Sequence, residues 1–341
     1  MSRMTGVLLG TFLLSVGSFG AGAAEFYDGK TITLVTSTGA GGTYDVGARA
    51  IARFMPKYIP GRPGMVVQNM PGGGNMLATN YMYSIAPKDG TAIAVVNNAI
   101  PFQQTVKGPG VRYDATKFNW LGSTGAKNSA IFVWSSNPVR SIADLFSHEV
   151  TIGGTGAGSS LVIYPTAMNN VLGTKFKVVI GYKSSEDIAL AMQRGEVEAR
   201  VLAYSSVLAT HPEWIHENKV RFLVQVGIKR DKDIADVPLM TELAKTQEQR
   251  DILKLISLPV PLGQPYLAPP GTPAGQVAVL RKAFAATMAD AAFRAEAERL
   301  QLDLDPMTAD EVAAVVDETI STPPDIVAKA KVAMGSAGGA R

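Results

Sequence analysis

Short apolar runs alternate with amphipathic stretches along the chain from Lys30 onward. The first runs, TITLVTS, GMVVQNM and TAIAVVN, have the length and the β-branched content of buried strands. Between the first two runs, Val46, Ala50, Ile51 and Phe54 recur at helical spacing, so an amphipathic helix is predicted there. Strands that alternate with helices in this way are typical of an α/β protein with parallel strands.

The same alternation continues in a middle block over residues 127–230, which has strands and helices of its own. Residues 25–126 and 231–341 flank this block. The sequence therefore predicts one lobe built from both ends of the chain and a second lobe inserted between them. Two connections would join such lobes, and this arrangement suits hinge closure over a ligand.

Capping pairs mark the starts of two helices. Ser141 is followed three residues later by Asp144, and Thr308 is followed by Glu311 at the same spacing. A hydroxyl and a carboxylate at this spacing satisfy backbone N–H groups at the start of a helix. These pairs are interpreted as structural signals and not as parts of a functional site.

The first 24 residues have the organisation of a secretory signal peptide. Arg3 is their one basic residue, an apolar stretch follows, and Ala21-Gly22-Ala23 fits the small-x-small cleavage pattern. A membrane anchor is the alternative, since a spanning helix needs about 20 apolar residues, but Gly, Ser and Thr dilute the stretch. Cleavage after Ala23 or Ala24 would release the mature protein into the periplasm.

Composition argues against several classes of protein. The 341 residues are 46% hydrophobic and 18% charged, which fits a folded globular chain long enough for two domains. Lys and Arg number 32 against 29 Asp and Glu, and no basic stripe stands out, so nucleic-acid binding is not expected. Because there is no cysteine and there are only three histidines, neither a metal centre nor any other cofactor is predicted.

Three glycine-rich loops, residues 37–45, 70–75 and 153–160, carry the main functional signal. Each loop follows a predicted strand and precedes a predicted helix, so its N–H groups and the positive end of a helix dipole point at one crevice. Such a crevice binds anions without a basic side chain. Four hydroxyl groups add hydrogen-bond donors: Thr43, Thr155, Ser159 and Ser160.

Enzyme motifs do not fit these loops. The phosphate loop of nucleotide hydrolases needs a Lys followed by Ser or Thr, and none of the three loops contains that pair. The dinucleotide fingerprint needs a third glycine where Tyr44 and Ser159 stand. The chain also lacks the G-x-S-x-G elbow of hydrolases. One such loop can be a simple tight turn, but three at equivalent positions favour a ligand site.

Other polar residues near strand ends have two interpretations each. Asp45 lies in the first turn of its helix, where capping is favoured over catalysis, although its carboxylate can also accept a hydrogen bond from a ligand. Tyr182 and Lys183 follow a strand and face either a ligand or solvent. Asn97 and Asn98 end the third strand, where their amides either bind a ligand or only terminate the strand.

Several segments occur together in a familiar order. The first loop ends in Gly-Gly-Thr-Tyr-Asp (residues 41–45), and VVQNMPGGGN, APKDGTAIAVV, GTGAGSS and GYKSSEDIALAMQRGEVEA follow downstream. This ordered set resembles the extracytoplasmic substrate-binding proteins of tripartite tricarboxylate transporters, the Bug family. The resemblance covers nearly all of the chain after the signal segment.

The resemblance implies a two-lobed periplasmic binding protein of type II (Venus flytrap), each lobe being a mostly parallel sheet flanked by helices. It implies a monomeric receptor without enzymatic activity, which closes on a small organic carboxylate and delivers it to the membrane components of the transporter. Adding Asn97 and Asn98, the expected ligand-binding residues are Thr38, Gly42, Thr43, Asp45, Asn97, Asn98, Thr155, Gly156, Ser159, Tyr182, Lys183 and Ser184.

The chain departs from the family pattern in several places. The family's Tyr-Lys-Gly is Tyr182-Lys183-Ser184 here, the usual Pro before it is Gly181, and an aromatic residue of the first loop is Thr38. These changes leave the identity of the ligand open. Two other functions also remain open from sequence alone, namely a secreted α/β enzyme acting on an anionic small molecule and a ligand-sensing subunit of a signalling system.

Overall fold

The structure is a computed structural model that describes residues 26–108, 110–156 and 159–335. The predicted signal segment, the C-terminal tail, and Ala157 and Gly158 of the third glycine loop lie outside the described residues. Within the described part, two mixed sheets are flanked by helices, which confirms the predicted α/β class. None of the described helices is both long and apolar enough to cross a lipid bilayer.

A six-stranded sheet and a five-stranded sheet form the two halves of the described chain. In chain order the strands are β1 Thr31–Thr36, β2 Gly64–Asn69, β3 Ala92–Val95, β4 Asn119–Ser123, β5 Ser129–Trp134, β6 Val150–Gly154, β7 Phe176–Ile180, β8 Ala199–Ala203, β9 Val220–Val226, β10 Pro265–Ala268 and β11 Met307–Thr308. The first sheet has the order β11-β4-β10-β3-β1-β2, and the second has the order β7-β6-β8-β5-β9.

Among the described strands, parallel pairs form between those that alternate with helices. In the first sheet β1 pairs parallel with β2 and β3, and in the second β6 pairs parallel with β7 and β8. The strands next to the connections between the sheets, β4, β5 and β10, pair antiparallel with their neighbours. Because parallel strands joined by helices all end at the same edge, the three predicted glycine loops lie at such edges.

Helices cover both faces of the two sheets. In chain order they are α1 Thr43–Phe54, α2 Met76–Ser84, α3 Ile100–Thr105, α4 Ser160–Leu172, α5 Ser185–Gln193, α6 Tyr204–Thr210, α7 Pro212–His216, α8 Gln247–Ser257, α9 Pro259–Leu262, α10 Ala274–Ala289, α11 Ala291–Arg299, α12 Ala309–Ile320 and α13 Pro324–Ala333. The helix start predicted from Thr308 with Glu311 is confirmed, and this pair forms a capping box at the start of α12. Ser141 with Asp144 also starts a helix, but this is a short 3₁₀ helix, Ile142–Phe146, and not an α-helix.

Alternation along the strands divides the core of the first sheet into two layers. On β3, Ile93 and Val95 pack with residues of α1, α10 and α11, whereas Ala92 and Ala94 belong to the cluster on the opposite face. In the second sheet, Phe132 of β5 packs with residues of α5, α6 and α7. Burial of both faces of each sheet is the arrangement expected of an α/β fold.

Two chain segments cross between the sheets, one after β4 and one before β10. The N–H group of Thr124 donates to the carbonyl of Gln264 at 3.3 Å, and the Ser123 hydroxyl donates to the carbonyl of Leu262. Gly125 and Gly263 pack together at this crossing, with φ angles of 70° and 49°. These left-handed angles suit glycine, because a side chain there would be strained.

The last helix, α13, extends from the first sheet back to the second. It packs against α8 and α4, and the side-chain amide of Asn170 on α4 donates to the carbonyl of Ala333 at 2.9 Å. Helix α8 is tied to α4 as well, since Gln249 donates to the carbonyl of Val171 at 2.8 Å. The lobe boundaries predicted at residues 126/127 and 230/231 stay a prediction, and any division of the chain has to account for these contacts.

Candidate functional site

The first glycine loop is organised around the carboxylate of Asp45, which is 3% exposed. Its oxygens accept hydrogen bonds from the Gly41 N–H group at 2.9 Å, from Nε of Arg49 at 3.0 Å and from Nδ2 of Asn69 at 2.8 Å. Burial would raise the pKa of Asp45, but these hydrogen bonds and the Arg49 charge lower it to about 2. The Asp45 carboxylate is therefore satisfied by groups of the protein, and its hydrogen bonds hold the loop in place.

The rest of the first loop stays open to solvent. Asn69 also donates to the carbonyl of Thr38 at 3.0 Å, which fixes the loop where it leaves β1. Gly42 and Thr43 are exposed at the start of α1, where no side chain among the described residues caps the first turn. Uncapped N–H groups at a helix N-terminus attract an anion.

Tyr44 connects this loop to the crossing between the sheets. Its hydroxyl donates to the carbonyl of Gly263 at 2.9 Å and accepts from the N–H group of Asn98 at 3.2 Å. Burial raises the pKa of Tyr44 to about 12, so the phenol stays protonated at physiological pH. The tyrosine thus holds the first loop, the end of β3 and the connection in one network.

We expect Tyr44→Phe to lower the free energy of unfolding by about 1 kcal/mol, because two hydrogen bonds are lost while the ring stays packed. Urea denaturation followed by tryptophan fluorescence measures this change. Tyr83→Phe is the matched control, since the Tyr83 ring is half-buried and packs edge-on against Phe118. Equal stabilities of the two variants would contradict the proposed network.

A cavity of about 390 Å³ lies between the sheets, close to the crossing. Asn97 and Asn98 line it from the first sheet, and Lys127, Ser160 and Tyr164 line it from the side of the second. The two asparagines also satisfy local bonds: Nδ2 of Asn98 donates to the carbonyl of Pro259 at 2.9 Å, and Oδ1 of Asn97 accepts from the N–H group of Ala99 at 2.9 Å.

In the second sheet, helix α4 begins at the edge where the parallel strands β6 and β7 end. Ser159 precedes α4, and its Oγ is buried without a hydrogen-bond partner among the described residues. Its N–H group donates to the carbonyl of Gly156 at 2.9 Å. The carbonyl of Thr155 accepts from the N–H group of Gly181 at 3.3 Å, which brings the loops after β6 and β7 together. A buried hydroxyl without a protein partner is rare, so this Oγ can serve a ligand.

The predicted residues after β7 have different environments. The N–H group of Tyr182 donates to the carbonyl of Gly154 at 3.4 Å, and its ring packs half-buried against the apolar cluster of the second sheet. Lys183 is exposed. The Ser184 hydroxyl caps α5 by accepting from the N–H group of Asp187 at 3.1 Å. Ser184 therefore has a structural role that its spacing to Asp187 could have indicated.

The structure places three further polar residues near these loops, and none of them is among the residues predicted from the sequence. Asn69 lies in the motif VVQNMPGGGN and Tyr44 in the first glycine loop, but their contacts come from segments far apart in the chain. Arg200 is the third, and its signal is a charged residue in the buried strand β8. No group of His, Asp and Glu side chains suited to a metal ion occurs among residues 26–108, 110–156 and 159–335.

Comparison with known proteins decides the family. A family model described as "Tripartite tricarboxylate transporter family receptor" matches residues 48–336. The chain belongs to this receptor family. The relationship predicted from the order of the sequence motifs is thereby confirmed.

Two curated relatives agree with the family assignment. The receptor chain is 24% identical over 335 residues to a UPF0065 protein in the gbd 5' region of Cupriavidus necator, with 95% of each chain covered. It is also 24% identical over 281 residues to a UPF0065 protein of Bordetella bronchiseptica, covering 81% of this chain and 78% of the relative.

Solved structures share the two-lobed fold of this receptor. A TctC solute-binding protein from Polaromonas without ligand has a TM-score of 0.71 at 21% identity, covering 89% of this chain and 99% of that one. MatC from Rhodopseudomonas palustris with bound malate has a TM-score of 0.57 at 22% identity, with 87% and 99% covered. Another protein of that organism, with adipate, has a TM-score of 0.59 at 21% identity, with 88% and 97% covered.

Proposed function

We propose that this receptor is periplasmic, captures a small organic carboxylate between its two lobes and delivers it to the membrane components of a tripartite tricarboxylate-type transporter. Family membership supports a receptor in place of an enzyme. The malate and adipate in two proteins of the same fold support a carboxylate as the ligand. The signal-like first 24 residues support export.

One observation carries this proposal: each sheet offers the start of a helix, with N–H groups and a hydroxyl, at the edge where its parallel strands end. Thr43 stands at this place in the first lobe and Ser159 in the second. Each lobe holds only part of an anion site. A ligand that contacts both lobes therefore favours the closed form by its differential contacts.

We expect organic acids to raise the melting temperature of the protein, and the matching neutral amides to leave it unchanged. A ligand that binds only the folded state stabilises it by mass action, and an amide lacks the charge that a helix N-terminus attracts. A thermal-shift screen of protein purified from the periplasm and freed of ligand measures this. Equal shifts with acids and amides, or no shift with any acid, would argue against the receptor function.

The contact residues are tested with the acid that the screen identifies. We expect Ser159→Ala to weaken its binding by roughly 10-fold or more, because a hydrogen bond to a charged group is worth about 1.5–3 kcal/mol. Ser136→Ala is the control, since this serine is exposed at a turn after β5. Titration calorimetry gives the affinities, and an unchanged value for Ser159→Ala would remove this residue from the site.

A further inference from the structure

A cavity of about 540 Å³ lies against the first sheet, between helix α10 and the strands β4 and β11. Leu121 and Phe284, each 2% exposed, and Met288, 5% exposed, form its buried floor. Within the described part of the chain, it shares no lining residue with the cavity beside Asn97 and Asn98. Its volume falls in the range of roughly 300–1,000 Å³ that is usual for small-molecule sites. This cavity is therefore a candidate ligand site apart from the cleft between the lobes.

Helix α10 gives the cavity an apolar wall. Ala285 and Ala289 lie one turn apart on this helix, and both alanines are exposed to solvent. Their small side chains leave space that larger residues would fill. Met288 and Met307 also line the cavity, and methionine side chains adapt to apolar groups of different shape. A linear apolar chain is the kind of group that such a wall removes from water.

A second, polar cavity of about 480 Å³ adjoins the apolar one, because Arg294 and Pro306 line both of them. The polar cavity lies at residues 126–128 and 229–232, which contain the predicted lobe boundaries. Four more basic side chains line it: Lys127, Lys229, Arg230 and Lys232. An apolar space next to a cationic one matches a ligand that has an apolar chain and an anionic group.

Arg294 holds its charge at the junction of the two cavities. Three of the other cations pair with acids of the protein: Lys127 with Asp231 at 3.5 Å, Lys229 with Asp305 at 3.6 Å and Arg230 with Glu242 at 2.8 Å. Nε of Arg294 donates instead to the backbone carbonyl of Met288 at 2.8 Å. This bond fixes the guanidinium group near the end of α10, and a carbonyl does not neutralise its charge. The other N–H groups of an arginine can donate to a carboxylate as a planar fork.

We propose that these two cavities form a second ligand site, which binds a single-chain amphipathic anion such as a medium-chain aliphatic carboxylate. Its apolar chain lies along α10 against Phe284 and Met288, and its anionic group accepts hydrogen bonds from Arg294. The site is separate from the cleft at Thr43 and Ser159, so the inference does not rest on the proposed receptor function.

The rim of the apolar cavity favours a ligand from solution over a lipid that stays in a membrane. Arg281 and Lys282 line this rim, and Asp310, 94% exposed, lies 3.7 Å from Arg281. Among residues 26–108, 110–156 and 159–335, none of the exposed large apolar side chains lines either cavity. A protein surface that inserts into a bilayer uses such side chains, so a free anion is the expected ligand.

Titration calorimetry compares octanoate with 1-octanol, which lacks the charge, and with butanoate, which has a shorter chain. We expect octanoate to bind the wild-type protein roughly 10-fold or more tightly than 1-octanol, because hydrogen bonds between charged groups are the stronger ones. We expect at least the same factor over butanoate, because each added CH₂ group buries more apolar surface.

Two pairs of variants locate this binding. Ala285→Trp fills the apolar cavity and is expected to weaken octanoate binding by roughly 10-fold or more. Ala278→Trp is its control, since Ala278 is exposed on the same helix and lines neither cavity. Arg294→Met is expected to remove the preference for octanoate over 1-octanol. Arg299→Met is expected to keep it, because the Arg299 side chain is 66% exposed at the end of α11.

Equal octanoate affinities of Ala285→Trp and Ala278→Trp overturn the inference, since octanoate then binds elsewhere, for example in the cleft. A wild-type protein that binds no octanoate overturns it as well, and the receptor function stands in both cases. If Arg294→Met does not fold, which circular dichroism shows, the Ala285→Trp pair decides, because Ala285 is exposed.

Vesicles of phosphatidylglycerol present the same chemistry in a membrane. We expect the wild-type protein to bind free octanoate and not to sediment with these vesicles. Sedimentation with the vesicles, without binding of free octanoate, would overturn the assignment of this site to a free anion.

Discussion

Alanine at Gly125 is expected to lower the free energy of unfolding by about 3 kcal/mol or more. This glycine has a φ angle of 70°, and a Cβ atom there would overlap the backbone carbonyl of Asp305. The overlapping atoms of Asp305 belong to its backbone and not to a flexible side chain. Relief of this overlap therefore requires the backbone at the crossing between the sheets to move. Urea denaturation monitored by tryptophan fluorescence measures the loss.

Gly173→Ala is the matched control for this variant. Gly173 ends α4 with a φ angle of 83°, and a Cβ atom there would meet nothing within 4 Å. Only the left-handed backbone penalty of about 1 kcal/mol applies. If Gly125→Ala lowers the free energy of unfolding by no more than Gly173→Ala does, the result contradicts close packing at the crossing.

The second large effect is expected at Asp45. Asp45→Asn keeps the shape of the side chain but removes the negative charge to which the Gly41 N–H group and the Asn69 amide donate hydrogen bonds. We expect a loss of about 2 kcal/mol at neutral pH, because charge-assisted hydrogen bonds to a buried carboxylate are weakened. The control is Asp310→Asn, whose side chain is 94% exposed. Similar losses in both variants would contradict the central role of Asp45 in the loop.

The contribution of Asp45 also has a defined pH dependence. Its pKa falls from 3.8 to about 2 on folding, so the unfolded chain takes up the proton first as the pH is lowered. The stabilisation is therefore present above pH 3.8 and is lost as the pH falls through this window towards about 2. Asp45→Asn should lack this part of the acid dependence, and an unchanged acid profile of stability would count against the low pKa.

Local sequence signals predicted the elements of the fold well. The runs TITLVTS, GMVVQNM and TAIAVVN contain β1, β2 and β3, which pair side by side as a β–α–β succession requires. The capping pairs at Ser141 and Thr308 could be predicted because the two partners of each pair lie within one turn. Asp45 has two interpretations, capping and ligand binding, and its hydrogen bonds with Gly41 and Arg49 favour a structural role. Ligand binding by Asp45 stays a prediction.

Contacts between distant segments could not be predicted from the same local signals. The return of α13 to α4 and α8 includes contacts between distant residues, such as the hydrogen bond from the Asn170 side chain to the carbonyl of Ala333, 163 residues away. Tyr44 illustrates the same limit at the site, since its partner Gly263 is 219 residues away. A spacing rule describes neighbours in one helix or strand, so it cannot say which loop a hydroxyl will reach across the fold.

We propose that an organic acid closes the two lobes of this receptor. Small-angle X-ray scattering of the ligand-free protein, with and without the acid found in the thermal-shift screen, measures this closure. We expect the radius of gyration to fall when the acid is added and to stay constant when its neutral amide is added. An acid that binds in calorimetry but leaves the scattering curve unchanged would contradict capture by closure.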